Sequence, residues 1–178
     1  MLNAIAGMLK VDTGSIIING IDVTKLPEYK RASHIGRVFQ DTRMGTASDM
    51  TIEENMAMAL RRGKPRGLRK GITKAERSLF RERLEILDLG LENRMTAKTG
   101  LLSGGQRQAL TLLMATVTKP ELLLLDEHTA ALDPKTAKKV LELTNQIITE
   151  DKLTALMITH NMQDALRLGN RLMMLHKG

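Results

Sequence analysis

Short apolar runs along the chain predict strands. Ser15–Ile18 and Ile21–Val23 flank Asn19-Gly20, a dipeptide typical of a tight turn between two antiparallel strands. Further strands are predicted at His34–Phe39, Leu122–Leu125, Thr154–Thr159 and Leu172–Leu175. Leu122–Leu125 is apolar without interruption, as expected for a strand that is buried on both faces.

Helical segments separate these strands. Thr51-Ile52-Glu53-Glu54 and Thr73-Lys74-Ala75-Glu76 are capping boxes, and we expect the helices that they begin to end near Arg61 and Leu89. The remaining helices are predicted at Leu2–Leu9, Gln106–Thr118, Lys135–Glu150 and Met162–Leu168. Short apolar strands that alternate with longer helices favour an α/β fold, a mostly parallel sheet flanked by helices.

The length of 178 residues fits one domain, which we expect to span 1–178. The strand that ends at Gln40 and the next predicted strand are separated by a long, polar, helical stretch. We therefore predict that residues 1–40 and 106–178 form the core of the domain. Residues 41–105 would form an inserted helical subdomain.

The net charge of +7 is concentrated in residues 61–83, which contain ten basic residues and two acidic ones. Such a run is commonly a solvated surface, and it could also attract an anionic membrane. Nucleic acid is a weaker interpretation, because two Phe, one Tyr and no Trp offer few platforms for stacking bases. The chain has no cysteine, which excludes disulfides and thiolate metal sites.

Two adjacent carboxylates follow the apolar strand Leu122–Leu125. Asp126 and Glu127 would lie at the carboxyl edge of the sheet, where open α/β sheets bind their ligands. Asp126 could hold Mg²⁺ through water, and Glu127 could accept a proton from an attacking water molecule. An apolar run followed by Asp-Glu can equally be a strand that enters a turn.

Ser103-Gly104-Gly105-Gln106 is also a capping box, a sufficient structural explanation for Ser103 and Gln106. A cap does not require the two glycines, whereas a close approach of backbone amides to phosphate does. Three further polar residues have ordinary explanations when taken singly. Asp133 is a helix N-cap before a proline, and Gln40 and His160 end predicted strands.

Taken in order, these motifs resemble the nucleotide-binding subunit of ABC transporters, a P-loop NTPase. The resemblance makes Gln40 the Q-loop glutamine, which would take part in catalysis and bind Mg²⁺. It makes Leu102–Gln106 the signature motif. It makes Asp126 the Walker B metal ligand and Glu127 the catalytic base. It also places Asp133 in the D-loop and makes His160 the switch histidine.

The chain departs from the family pattern in three places. It contains no G-x-x-x-x-G-K-[ST] loop, and Met1–Gly7 resembles the helix that follows this loop. His128 stands where many relatives have proline, and Lys177-Gly178 ends the sequence where relatives continue. We therefore expect a domain that is incomplete at both ends, and a polypeptide that binds ATP poorly by itself.

The resemblance implies an ATP-hydrolysing subunit of a membrane transporter, more plausibly an importer, in a bacterium. Such subunits use ATP and Mg²⁺ and form homodimers or pair with another ATPase subunit. They bind transmembrane permease subunits at the cytoplasmic face of the membrane. Two alternatives stay open: an ABC-type ATPase that acts on nucleic acid, and a degenerate subunit that does not hydrolyse ATP.

Overall fold

The computed structural model describes residues 1–64 and 71–174. Its strands are β1 (Ile17–Ile18), β2 (Ile21–Asp22), β3 (Ile35–Val38), β4 (Leu122–Asp126) and β5 (Thr154–Ile158). Its helices are α1 (Leu2–Ala6), α2 (Glu28–Arg31), α3 (Ile52–Leu60), α4 (Lys74–Glu85), α5 (Gly104–Thr116), α6 (Pro134–Glu150) and α7 (Met162–Leu168). Two short 3-10 turns, Leu91–Asn93 and Thr99–Leu101, connect α4 to α5.

The described sheet has the order β3-β4-β5, and all three strands run parallel. In the central strand, Leu124 pairs with Arg37 of β3 and with Leu156 of β5. The strands β1 and β2 form a separate antiparallel hairpin around the predicted turn, where Asn19 and Gly20 both have positive φ. These observations confirm the predicted α/β fold with a parallel sheet.

The central strand β4 contributes to both faces of the sheet. Leu123 and Leu125 belong to one apolar cluster, with residues of α3, α4, α5 and α6, while Leu124 belongs to a second cluster with Leu2 and Val23. This division follows from the strand period of two, which points successive side chains to opposite faces. The continuous run of leucines is therefore explained by burial on both sides.

The helix starts were predicted more accurately than the helix ends. Thr51, Thr73 and Ser103 each form the complete capping box at the start of α3, α4 and α5. However, α4 ends at Glu85 rather than near Leu89, and the first helix ends at Ala6 rather than Leu9. Within the described ranges, no helix combines the length and the apolar composition needed to cross a bilayer.

Two further elements differ from the sequence predictions. Residues 172–174 of the predicted strand Leu172–Leu175 are exposed and irregular, because nothing in the described residues pairs with them; Leu175 lies outside the described residues. The helix α2 was not predicted. Its buried Arg31 donates hydrogen bonds to the carbonyl oxygens of Thr24, Leu26, Ala4 and Ile5, so it ties the hairpin region to the end of α1.

Candidate functional site

The carboxyl ends of β3, β4 and β5 bring three of the predicted site residues together. Gln40 follows β3, Glu127 follows β4, and His160 follows β5. The Gln40 Nε2 atom lies 3.2 Å from Glu127 Oε2, and the same oxygen lies 3.4 Å from His160 Nδ1. We call these three residues the edge cluster. Gln40 and His160 are exposed, so the cluster is open to a ligand from solvent.

The backbone at Glu127 is unusual, since its φ of +43° lies in the left-handed region. A non-glycine residue adopts this region at a cost of roughly 1–2 kcal/mol. Its amide donates to the carbonyl oxygen of Ile158 at 3.0 Å, and its carbonyl accepts from the amide of Ala130 at 3.0 Å. Surrounding contacts therefore hold this conformation at the residue whose carboxylate is central to the cluster.

Asp126 is partnered by a residue for which the sequence suggested no role. Its Oδ2 atom lies 3.4 Å from a guanidinium nitrogen of Arg37, which also donates to Asn3 Oδ1 at 2.7 Å. The Arg37 guanidinium lies 4.6 Å from the ring centroid of Phe39. In the sequence, the charge of Arg37 inside an otherwise apolar strand was the feature that could have indicated such a contact.

The oxygen atoms at this edge fit Mg²⁺, which is commonly held by one or two carboxylates together with phosphate oxygens and water. The Asp126 side chain is 33% exposed, so a second cation can reach its carboxylate. Gln40 carries an amide oxygen at the same edge of the sheet. The described residues contain no group of three or more His, Asp or Glu side chains with metal-site geometry. The assignment of Asp126 and Gln40 as magnesium ligands stays a prediction.

The start of α5 presents Ser103 and two glycines. Ser103 Oγ accepts from the Gln106 amide at 3.3 Å, and Gln106 Oε1 accepts from the Ser103 amide at 3.2 Å. A Cβ atom on Gly104 would make only an ordinary contact with Leu132, at 3.6 Å. A Cβ atom on Gly105 would overlap the methyl group of Thr136. Packing therefore explains Gly105 without a phosphate, whereas packing does not explain Gly104.

Asp133 caps α6, as expected, by accepting from the Thr136 amide at 3.1 Å. The hydrogen bonds from Thr136 lower the pKa of Asp133 below its ordinary value. Because Gly105 packs against Thr136, the starts of α5 and α6 are neighbours. Among the described residues, no hydrogen bond joins Ser103 or Asp133 to the edge cluster. The predicted site residues therefore form two groups that are not hydrogen-bonded to each other within the described ranges.

His128 is buried, with 2% of its surface exposed. Its Nε2 atom lies 3.1 Å from the hydroxyl of Thr144 in α6. Burial lowers the pKa of His128 to about 4, against a weaker opposing effect of Asp164. The ring is therefore neutral near pH 7.

Gln108 is a second polar residue that the sequence did not single out. It is fully buried in α5, and its Nε2 atom donates to the carbonyl oxygen of Phe39 at 3.0 Å. This bond joins the helix that begins at Ser103 to the residue before Gln40. A polar side chain at a core-facing position of α5 was the signal in the sequence.

Several cations of the basic segment make internal contacts. Arg61 pairs with Glu76 at 2.8 Å, and Arg77 pairs with Glu53 at 2.7 Å. Arg62 donates to the carbonyl oxygen of Ala115 at 3.0 Å, and its burial lowers its pKa. These contacts reduce the charge that the segment can offer a membrane or nucleic acid. Arg66, Arg69 and Lys70 lie outside the described residues.

Comparison with known proteins identifies the family to which this chain is similar. The sequence model of the ABC transporter family matches residues 1–130. A tyrosine transport ATP-binding protein of Clostridioides difficile is 47% identical over the whole chain, which covers 70% of that protein. A spermidine/putrescine import ATP-binding protein of Haemophilus influenzae is 34% identical over the whole chain, which spans only 45% of its length.

A solved structure shows the same fold. It is a dimeric, post-hydrolysis state of an ATP-binding cassette bound to ADP and Pi. It is 30% identical, with a TM-score of 0.74 over 92% of this chain and 70% of that one. The family match, the curated relative and the shared fold agree, and the chain therefore belongs to the ABC transporter family of ATP-binding subunits.

Proposed function

We propose that this protein hydrolyses ATP to energise a membrane importer, and that Glu127 is the general base. The observation that carries this proposal is the edge cluster, in which one carboxylate oxygen faces both Gln40 and His160. A carboxylate in this position can accept a proton from water, while the neighbouring amide and imidazole orient that water by hydrogen bonding. The cluster thus favours a hydrolysing subunit over a degenerate one.

Asp126 and Gln40 would hold Mg²⁺, which when bound neutralises charge on the phosphates. The ion pair with Arg37 keeps the Asp126 carboxylate oriented toward the same edge. We propose that Ser103, Gly104, Gly105 and Gln106 contact the ATP held by a paired ATPase subunit, beside Asp133. The absence of hydrogen bonds between these residues and the edge cluster, among the described residues, supports this assignment. The space above Gly104 would admit a phosphate close to the backbone.

Exchange of Glu127 for glutamine tests the base. We expect Glu127→Gln to lower the rate of hydrolysis about 10²–10³-fold, because the amide retains the shape but cannot accept the proton. The assay uses the transporter assembly isolated from its own cells through a tag on this chain. Glu142→Gln, on the exposed face of α6, is the matched control. A parental rate for Glu127→Gln would refute the assignment.

We propose that the membrane subunit docks at a groove beside the Q-loop. The groove has a volume of about 380 Å³ and is lined by residues including Phe39, Met44, Met58 and Arg62. Met44 and Met58 are 63% and 44% exposed, so the groove offers apolar surface to a partner. Because it adjoins Gln40, contacts with nucleotide at that residue can bias the orientation of the docking surface.

Crosslinking tests this surface, and the absence of native cysteine makes single-cysteine variants straightforward. Cysteines placed along Asp41–Asn55, with Met44→Cys as the first choice, should crosslink to a cytoplasmic loop of the membrane subunit. Glu142→Cys on α6 is the control and should not crosslink. Crosslinks that map only to α6 would exclude the groove as the docking site.

Import is the proposed direction, because the two curated relatives are named for tyrosine transport and for spermidine/putrescine import. The protein would then lie peripherally at the cytoplasmic face of a bacterial inner membrane, held by its permease partners. Uptake of radiolabelled tyrosine or spermidine into cells that carry Glu127→Gln tests this direction. Loss of export with normal uptake would contradict it.

A further inference from the structure

Glu127 combines a central position in the edge cluster with a left-handed backbone. Two backbone hydrogen bonds restrain this residue: its amide donates to Ile158 of β5, and its carbonyl accepts from Ala130 in the turn that follows β4. A glutamate released from such restraints would relax to negative φ, which redirects its side chain. The direction of the Glu127 carboxylate therefore depends on what holds the backbone around it, and the next residue in that backbone is His128.

His128 is fixed by a buried hydrogen bond to α6. Thr144 is 2% exposed, and its hydroxyl lies 2.7 Å from the carbonyl oxygen of Val140. A hydroxyl has one hydrogen, which this carbonyl takes, so the Thr144 oxygen must accept from the histidine ring. The ring consequently carries its proton on Nε2. Both partners are inside the core, where an unpaired polar group would be costly, and this favours a single position for the ring.

We propose that His128, anchored on Thr144, is a positioning residue that holds Glu127 in its left-handed conformation and directs the carboxylate between Gln40 and His160. This inference rests on the proposed function, because it assumes that Glu127 is the base. His128 itself contacts no reacting group. It acts through the backbone that it shares with Glu127. The hydrogen bond to Thr144 fixes His128 relative to α6 rather than to the sheet.

Two substitutions by apolar residues of similar size remove the anchor, and two conservative ones retain it. His128→Leu and Thr144→Val delete the hydrogen bond, whereas His128→Gln keeps an N–H donor and Thr144→Ser keeps the hydroxyl. In the isolated transporter assembly, we expect both deletions to lower kcat about tenfold to a hundredfold. The KM for ATP should stay within about twofold, because a misdirected base leaves the grip on nucleotide unchanged. Both conservative variants should recover most of the lost rate.

The double variant with Glu127→Gln separates positioning from general stability. If His128 acts through Glu127, adding His128→Leu to Glu127→Gln should cause no further loss of rate. An equal fold-loss from His128→Leu in both backgrounds would overturn the proposal. The proposal would also be overturned if Glu127→Gln alone were impaired while His128→Leu alone kept the parental kcat. Parental activity of Glu127→Gln alone would instead refute the proposed base.

A spectroscopic measurement tests the anchor without activity. Nitrogen-15 NMR of labelled histidine should show the Nε2–H tautomer for His128 in the parental protein, and a mixture of tautomers in Thr144→Val. An Nδ1–H tautomer in the parental protein would contradict the proposed hydrogen bond. If His128→Leu fails to fold, the Thr144→Val and Thr144→Ser pair carries the same kinetic test, since Thr144 lies away from the edge cluster.

Discussion

The end of β4 and the start of α5 carry the two groups of proposed site residues, and they are built in opposite ways. Ser103 and Gln106, at the start of α5, satisfy each other's backbone amides within four residues of sequence. Glu127, at the end of β4, is bound through its backbone to Ile158 and through its carboxylate to Gln40 and His160. The next residue, His128, is hydrogen-bonded to Thr144. The hydrogen bonds of the first region are local, whereas those of the second are long-range.

This difference indicates where each region is vulnerable. A capping box forms whenever the helix forms, so the start of α5 should tolerate changes elsewhere in the domain. The strained backbone at Glu127 persists only while three strands and α6 are in place. We therefore expect the two regions to respond differently to pH and to substitution.

The largest effect should come from the buried histidine beside Glu127. Its pKa is about 4 in the folded protein against an ordinary 6.5, so the unfolded chain binds more protons between these values. The free energy of unfolding should therefore be undiminished above pH 6.5 and should decrease by roughly 3 kcal/mol as the pH falls to 4. Urea unfolding at several pH values measures this loss.

His128→Leu supplies the control for that titration. Leucine carries no proton, so the variant should show a smaller loss of stability between pH 6.5 and 4. An identical pH dependence in both proteins would show that other groups cause the loss.

The two adjacent glycines at the start of α5 should differ by about 2 kcal/mol. Gly105→Ala should lower the free energy of unfolding, because the new methyl group overlaps that of Thr136. Gly104→Ala has room for its methyl group and should leave stability nearly unchanged. Thermal unfolding compares them, and Thr136→Ser should rescue Gly105→Ala. Loss of ATP hydrolysis by a stable Gly104→Ala would support a close approach of phosphate at that glycine.

Removal of the cap should have a moderate effect. Ser103→Ala deletes the oxygen that accepts from the Gln106 amide and should cost about 1 kcal/mol. Ser103→Thr retains that oxygen and should stay close to the parental stability. Urea unfolding distinguishes them, and a loss of several kcal/mol on Ser103→Ala would mean that the start of α5 also depends on distant contacts.

The smallest effect should be a gain in stability at Glu127. Asparagine tolerates the left-handed region better than glutamate does, so Glu127→Asn should raise the free energy of unfolding by about 0.5–1 kcal/mol. The same substitution should lower the rate of hydrolysis at least as much as Glu127→Gln does. Glu142→Asn, in the right-handed backbone of α6, should instead lower stability slightly. A destabilised Glu127→Asn would indicate that the glutamate side chain contributes more than its backbone conformation costs.

The sequence alone was sufficient for features that arise within a few residues. The three capping boxes, the hairpin at Asn19-Gly20 and the doubly buried strand β4 were all predicted from local patterns. The ordered motifs also indicated the family before any geometry was known. Elements that depend on a partner were predicted poorly: α2 was missed, and residues 172–174 form no strand in the described part of the chain.

What only the tertiary structure decided is how side chains from distant segments combine. Local patterns could not show that Arg37 faces Asp126, that Gln108 binds the carbonyl of Phe39, or that His128 is anchored on Thr144. These contacts join residues 16 to 89 positions apart, and they form only when the sheet and helices assemble. Helix starts and turns are stabilised by interactions between residues close in sequence, so they can be predicted from it. The direction of the Glu127 carboxylate is instead set by the packing around it.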